Sequence, residues 1–333
     1  MTTLDRDMSV TPPVGVGLIG SSQASRFFCE RLSLRSDLRL VAAGFEEGSS
    51  TAVLGEYGDH FAGTDRTTEP QTLSTARDVW EAPDVRVVFF ARGSSSGAML
   101  SALARSKSIL VEAPQMLTSN ELEELAKAAD CHKQVAAIYE PRRWDRDFMQ
   151  ARSLLESGRL GRLLRLRYAV HDSGLPGELF PLGIANELGS HVLDQMLQLV
   201  GPNALRSPDG RKAVALWRHF PSALDHSEGF VVSFEFAENV SAVLEIHTQS
   251  LLGYRSGWML EGTEGAYRNG CLYTRTSDGE IVDEPLSAPT VSSDPFLDAV
   301  SDTLRGHCAD LPTVRDAIRV AALLFNRSDS IKA

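Results

Sequence analysis

The chain has 333 residues, about two domains at roughly 150 residues each, and 43% of them are hydrophobic, enough to bury a sizeable core. A net charge of −11 at pH 7 repels phosphate backbones, so the composition argues against nucleic acids and anionic membranes as partners. No run approaches the roughly 18 apolar residues of a membrane span. The four cysteines are scattered without a metal-ligand spacing, so we predict reduced thiols, a cytoplasmic protein and no metal site.

Residues 1–13 are polar and lack the pattern of a signal peptide, which predicts a flexible tail. From 14 to 140, apolar runs alternate with amphipathic helical patterns. The predicted strands are Val14–Gly20, Leu38–Phe45, Val85–Ala91, Ser108–Val111 and Gln134–Glu140, and the helices are Ala24–Leu34, Ser94–Arg105 and Ser119–Asp130. This alternation predicts an α/β fold with a doubly wound parallel sheet, a Rossmann domain.

Residues 141–333 follow a different pattern. Predicted helices at Arg143–Glu156 and Glu187–Val200 flank a strand at Leu163–Val170 and a loop from Asp172 to Asn186. A series of β-like runs follows, at Ala213–Phe220, Phe230–Phe236, Ser241–Thr248, Trp258–Glu261 and Ala266–Arg275. Two helices end the chain, near Pro295–Arg305 and Val314–Asn326. The pattern predicts an α+β domain with a largely antiparallel sheet.

A glycine-rich turn follows the first predicted strand. The literal G-x-G-x-x-G from Gly15 to Gly20 lies inside the strand, whereas a phosphate-binding loop must follow a strand and open a helix. The physically consistent register starts at Gly20 and leads into the helix, where free N–H groups favour an anion. Ser22 then replaces the second glycine. A doubly wound domain that has lost its cofactor site is the alternative.

The helix Glu187–Val200 has one apolar stripe and one polar side. The polar side includes His191 and Glu187, one turn apart. A carboxylate at that spacing can orient an imidazole and raise its basicity, as a general base requires. A solvated polar face is the alternative interpretation.

An ordered series of segments carries a resemblance to a known family. The segments are Val14–Gly20, Val87–Leu103, Lys107–Pro114, Arg142–Asp145, Gly158–Gly161, Glu187–Asp194 and Leu260–Gly265. On these segments the chain resembles the Gfo/Idh/MocA oxidoreductases, such as glucose–fructose oxidoreductase and inositol dehydrogenase, from Val14 to the C-terminus. The resemblance implies a Rossmann domain and a C-terminal α+β domain whose open sheet often mediates contacts in a homodimer or homotetramer.

The resemblance also implies a cofactor, NAD or NADP, and a sugar-like or cyclitol-like polyol as substrate. It implies His191 and Glu187 as catalytic residues. The predicted cofactor contacts are Gly20, Ser21, Ser22, Gln23, Ala24, Phe45, Glu46, Phe90, Ala91, Arg92, Glu112 and Ala113. Predicted substrate contacts are Arg143, Asp194 and Tyr254, although surface pairing of Arg143 and core packing of Tyr254 are alternatives. Glu46 and Glu47 would repel a 2′-phosphate, which favours NAD.

The chain departs from the family pattern at chemically important positions. The lysine of the family's Glu-Lys-Pro is Ala113, and the aspartate of its D-x-x-x-H is Glu187. These departures keep two alternatives open: a non-catalytic binding or regulatory protein on the same scaffold, and an NAD-using relative that cleaves glycosides.

Overall fold

The computed structural model describes residues 12–46, 71–72, 75–113, 117–171, 184–201, 214–221, 228–236, 239–247, 257–287, 289–290, 292 and 294–325. The described residues form two units. One lies within 1–139 and 296–314, and the other within 140–295 and 315–333. Most of the predicted tail lies outside the described residues, and so does most of the predicted loop from Asp172 to Asn186.

A parallel sheet forms the centre of the first unit. Its strands are β1 (Val14–Ile19), β2 (Leu38–Gly44), β3 (Gln71–Thr72), β4 (Val85–Phe90), β5 (Ser108–Glu112) and β6 (Ala136–Tyr139), in the spatial order β3-β2-β1-β4-β5-β6. All neighbouring pairs are parallel. The predicted Rossmann domain is confirmed, because this order places the reversal of winding between β1 and β4, where such sheets bind ligands.

Helices connect these strands: α1 (Gln23–Ser33), α2 (Ala76–Glu81), α3 (Ser96–Ala104) and α4 (Ser119–His132). Each begins at a serine or threonine whose hydroxyl accepts a hydrogen bond from a backbone N–H of the first turn. At Thr118 and Glu121 the side chains bond reciprocally to backbone N–H groups and form a capping box at the start of α4. The short α2 was not predicted from the sequence.

The structure differs from the predicted domain boundaries at the C-terminal end. Helix α7 (Pro295–Leu304), predicted within residues 141–333, packs with the first unit from Phe296 onward. Ser301 donates to Asp37 at 2.6 Å, and Phe296 contacts Tyr139 edge-on at 4.9 Å between ring centroids. Arg35 bonds to Asp298 and, at 2.8 Å, to Asp37. The contacts that α7 makes with Arg35, Asp37 and Tyr139 join segments more than 150 residues apart, so no local sequence pattern predicts them.

Asp37→Asn is expected to destabilise the protein by about 1–2 kcal/mol at pH 7. Arg35 and Ser301 donate to the Asp37 carboxylate, and these bonds, led by Arg35, lower its pKa to about 2. An unfolded aspartate titrates near 3.9. The stabilisation is therefore complete above about pH 4 and is lost as the pH falls toward 2. Urea unfolding of wild type and variant from pH 7 to 2.5 measures it.

The control for this prediction is Glu124→Gln, which changes an exposed carboxylate of α4 in the same unit. It is expected to leave stability within about 0.5 kcal/mol of wild type. Equal midpoints for Asp37→Asn and wild type at pH 7 would show that the Arg35–Asp37 pair contributes nothing.

The second unit contains an eight-stranded mixed sheet. Its strands are β7 (Leu163–His171), β8 (Val214–Pro221), β9 (Glu228–Glu235), β10 (Ser241–His247), β11 (Gly257–Gly262), β12 (Gly265–Arg268), β13 (Cys271–Arg275) and β14 (Ile281–Pro285), in the order β14-β13-β12-β11-β7-β10-β9-β8. Only β7 and β10 pair in parallel. The predicted largely antiparallel sheet is confirmed.

Two details of this sheet correct the sequence prediction. The run Ala266–Arg275 is a hairpin rather than one strand, because Asn269 and Gly270 both adopt positive φ angles (51° and 78°) that suit a tight turn. Strand β14 was not predicted. All five of its residues are exposed, so it lacks the alternation of buried and exposed residues that signals a strand.

The second unit also contains a 3₁₀ turn (Pro141–Trp144) and helices α5 (Arg146–Glu156), α6 (Ile184–Val200) and α8 (Val314–Phe325). The predicted helix Arg143–Glu156 is broken at Asp145, whose ψ of 134° is extended. Buried side chains from these helices and the sheet form one core, which includes Phe148, Trp258 and Leu260.

Within the described residues, no helix is long and apolar enough to cross a membrane. The same part of the chain contains no cluster of three or more His, Cys, Asp or Glu residues that would suit a metal ion.

Candidate functional site

The turn between β1 and α1 has the geometry of a phosphate-binding loop. Gly20 has a φ of +85°, and a Cβ on it would lie 3.2 Å from the Ala91 Cβ, so glycine fits here better than any other residue. Helix α1 begins at Gln23 after the extended Ser22. Gly15 lies inside β1, where a Cβ would be 1.9 Å from the Asp84 carbonyl oxygen. The turn between β1 and α1 therefore begins at Gly20, and the literal match that starts at Gly15 lies in the strand.

A buried carboxylate lies against this turn. Glu112, at the end of β5, is 1% exposed and accepts hydrogen bonds from the Ser22 hydroxyl (2.5 Å) and the Arg92 N–H (2.8 Å). The Arg92 Nε lies 3.7 Å from its other oxygen. The Ser22 hydroxyl also accepts from the Ser25 N–H, so in this arrangement Ser22 caps α1 and does not point toward an anion.

A second carboxylate lies where β2 ends. Glu46 accepts hydrogen bonds from the Ser95 N–H at 2.7 Å and from the Ser95 hydroxyl at 2.6 Å. Ser95 is the cap of α3, so one residue both starts that helix and holds the Glu46 carboxylate. Sequence reasoning identified Glu46 from its position but had no signal for Ser95.

The structure brings most of the predicted cofactor contacts to the carboxyl ends of β1, β2, β4 and β5. Phe45, Phe90 and Ala91 are buried there, and Ala113 is half-buried directly after β5. Ser21 and Ala24 are half-buried and Gln23 is exposed, at the start of α1. A glycine turn, a helix N-terminus and a carboxylate after the second strand together fit a dinucleotide.

In the second unit, His191 pairs with a carboxylate that the sequence did not indicate. The His191 Nδ1 lies 2.5 Å from an oxygen of Glu140, a residue that is 3% exposed. Glu140 directly follows β6, and His191 lies on α6, with its side chain 16% exposed. The position of Glu140 at the end of a buried strand was the one available signal.

Glu187, the predicted partner of His191, belongs to α6, but its side chain lies outside the described part of the chain. Its catalytic role stays a prediction. Tyr254 also lies outside the described residues.

Arg143 and Asp194, predicted as substrate contacts, bond to each other. The guanidinium makes two 2.7 Å hydrogen bonds to the Asp194 carboxylate and lies 3.2 Å from Asp316. Burial raises the pKa of Asp194 to about 6, although Arg143 opposes that shift. These contacts indicate a structural pair, and the predicted contact with substrate stays a prediction.

Gln195 completes the connection between α6 and its surroundings. It donates to the Arg142 carbonyl oxygen and accepts from the Trp258 ring N–H at 3.0 Å. The 3₁₀ turn and β11 are both bonded to α6 through this side chain, a connection that the helical pattern alone does not indicate.

Comparison with known proteins finds a matching family model for part of the chain and related oxidoreductases. Residues 148–268 match the model of the GFO/IDH/MocA C-terminal domain. An inositol 2-dehydrogenase from Streptomyces avermitilis is 29% identical over 272 residues, which are 78% of this chain and 74% of that protein. The chain therefore contains a match to the Gfo/Idh/MocA C-terminal domain and is similar over most of its length to oxidoreductases, including an inositol 2-dehydrogenase.

Other relatives of the chain are also oxidoreductases. The uncharacterized oxidoreductase YdgJ of Escherichia coli is 25% identical over 350 residues, 96% of each chain. The uncharacterized oxidoreductase C115.03 of Schizosaccharomyces pombe is 35% identical over 112 residues, and that match spans 30% of this chain and 29% of the yeast protein.

Solved structures share the fold. An NAD-binding protein from Listeria innocua superposes with a TM-score of 0.72 at 19% identity, covering 93% of this chain and 92% of its own. An oxidoreductase from Bacillus cereus gives 0.72 at 16% identity, covering 93% and 94%. At these identities the likeness establishes the fold alone.

Proposed function

We propose that the chain is a nicotinamide-dependent oxidoreductase that interconverts a secondary alcohol and a ketone on a sugar-like or cyclitol-like polyol. The observation that carries this proposal is the turn from β1 through Gly20 into α1, in a sheet of order β3-β2-β1-β4-β5-β6. Similarity to inositol 2-dehydrogenases supports the polyol as substrate class. We further propose a cytoplasmic homodimer or homotetramer, as the family resemblance implies.

The first unit would hold the cofactor. The N–H groups at the start of α1 would bind the pyrophosphate, and Gly20 allows its close approach. Glu46, held by Ser95, would accept hydrogen bonds from the adenosine ribose and repel a 2′-phosphate, which favours NAD over NADP. When bound, the nicotinamide supplies or accepts the hydride.

The second unit would handle the proton. In oxidation, His191 takes the proton of the reacting hydroxyl, and in reduction it returns it. A partly exposed imidazole held by a buried carboxylate suits this role. Glu187, one turn earlier on α6, is proposed as a second catalytic carboxylate.

The absence of the family's lysine at position 113 favours a second candidate, a non-catalytic binding or regulatory protein. In the family, a lysine in Glu-Lys-Pro would stabilise negative charge on the reacting oxygen, and Ala113 carries no such charge. Removing such a group typically costs about 10²- to 10⁴-fold in rate. The contact of Ser22 with Glu112 points the same way, because it engages a hydroxyl that could otherwise donate to phosphate.

Turnover on a panel of inositols and sugars distinguishes the candidates. We expect the purified protein, incubated with NAD and each polyol, to form NADH with at least one of them, at a rate reduced by the absent lysine. Ala113→Lys is the matched variant and is expected to raise that rate. No NADH with any polyol, in wild type or in Ala113→Lys, would favour the binding protein.

A further inference from the structure

We propose that Glu140 is the positioning residue of His191, and that it makes Nε2 the ring nitrogen that exchanges the substrate proton. This inference rests on the proposed oxidoreductase function. The His191 Nδ1 lies 2.5 Å from a Glu140 oxygen. The proposal places the hydrogen of this contact on Nδ1, since a carboxylate can only accept a hydrogen bond. In the neutral ring the lone pair is then on Nε2.

The fold holds the two side chains in register. Glu140 opens the 3₁₀ turn Pro141–Trp144, and this turn bonds to α6 at two further positions. The Arg142 carbonyl oxygen accepts from Gln195, and the Arg143 guanidinium bonds twice to Asp194. Glu140 and the turn that follows it therefore contact α6 at positions 191, 194 and 195. Together these contacts hold the imidazole beside the Glu140 carboxylate.

The second oxygen of Glu140 indicates that the carboxylate serves His191. This atom is buried, and within the described residues no donor reaches it. Most buried side-chain polar atoms in proteins have a hydrogen-bond partner, and an exception often marks a functional group. Among the described residues, the Glu140 carboxylate is hydrogen-bonded to His191. Its negative charge therefore acts on the His191 Nδ1–H.

Glu140 differs from the carboxylate that sequence spacing favours. Glu187 is one helical turn before His191, whereas Glu140 is 51 residues away in the chain and reaches the ring from another element. The contact at the His191 Nδ1 is therefore assigned to Glu140.

Nitrogen-15 NMR of the imidazole tests this assignment directly. In wild type at a pH where His191 is neutral, we expect the Nδ1–H form, with His191→Asn used to assign the signals. In Glu140→Gln, whose amide can donate as well as accept, we expect the Nε2–H form to become populated. With the same variant, kcat for the best polyol is expected to fall at least about 10-fold.

Glu245→Gln is the matched control, since Glu245 lies 3.3 Å from His247 in the same unit. It is expected to perturb the His247 signals and leave those of His191 unchanged. An Nε2–H form of His191 in wild type overturns the proposal without any variant. A Glu140→Gln protein with altered tautomer and unchanged kcat overturns it too, because the contact would then be purely structural.

The two readouts separate this inference from the proposed function. Absence of turnover in wild type would reject the oxidoreductase and the proton-exchange role with it. The tautomer would still decide, in the same protein, whether Glu140 fixes the imidazole.

Discussion

Replacing His191 with alanine is expected to lower kcat by on the order of 10²- to 10⁴-fold in the polyol assay, because the variant has no side chain that can exchange the hydroxyl proton. KM is expected to change less, since the loss concerns the transition state more than ground-state binding. The His191 side chain is only 16% exposed, so thermal unfolding must be measured alongside to show that the variant is folded.

His307→Ala is the control for this variant. His307 is an exposed histidine 3.6 Å from Asp302, and its loss is expected to leave kcat unchanged. Wild-type kcat in a folded His191→Ala protein would remove His191 from the chemistry. If Ala113→Lys then also gave no gain, a binding or regulatory role would replace the enzyme proposal.

Arg143→Met is expected to destabilise the protein by about 3–5 kcal/mol. The guanidinium, 3% exposed, neutralises the buried Asp194 and also lies 3.2 Å from Asp316, so its removal leaves the Asp194 carboxylate buried without its cation. For a 333-residue chain that unfolds cooperatively, the loss corresponds to a fall of roughly 4–7 °C in Tm. Calorimetry or urea unfolding measures it.

Two further variants test the physical reason. Arg143→Met combined with Asp194→Leu is expected to recover most of the loss, because apolar residues of similar volume often replace a buried ion pair without penalty. Arg152→Met removes one partner of the Arg152–Glu156 pair on the surface of α5 and is expected to cost less than about 1 kcal/mol. Equal losses for Arg143→Met and Arg152→Met would contradict the assignment of Arg143–Asp194 as a structural pair.

Most of the fold could be predicted from local signals in the sequence. The strands of the first unit alternate with helices whose caps are encoded within four residues, and Gly20 marks the turn because its φ of +85° suits glycine. Helix α7 was predicted in the second domain but packs with the first unit, because its position depends on long-range contacts. Its bonds to Arg35 and Asp37 join positions more than 250 residues apart, and such pairings leave no periodic trace in a sequence.

The candidate site likewise contains residues that local spacing predicts and a residue that depends on tertiary packing. Glu46 and His191 were identified from spacing relative to a strand end and a helix start. Glu140 was not predicted as a site residue, because its contact with His191 depends on how the 3₁₀ turn and α6 pack. Spacing on a helix favours Glu187, a neighbour at i−4, while the structure shows a contact made through tertiary packing.

The central claim is that the Gly20 turn binds a nicotinamide dinucleotide, and calorimetric unfolding with added cofactor tests it most directly. At 100 times Kd, a ligand that binds only the folded protein adds about 2.7 kcal/mol of stability. We predict a rise in Tm of several degrees with NAD and a smaller one with NADP. An unchanged Tm with both nucleotides at millimolar concentration would contradict the claim.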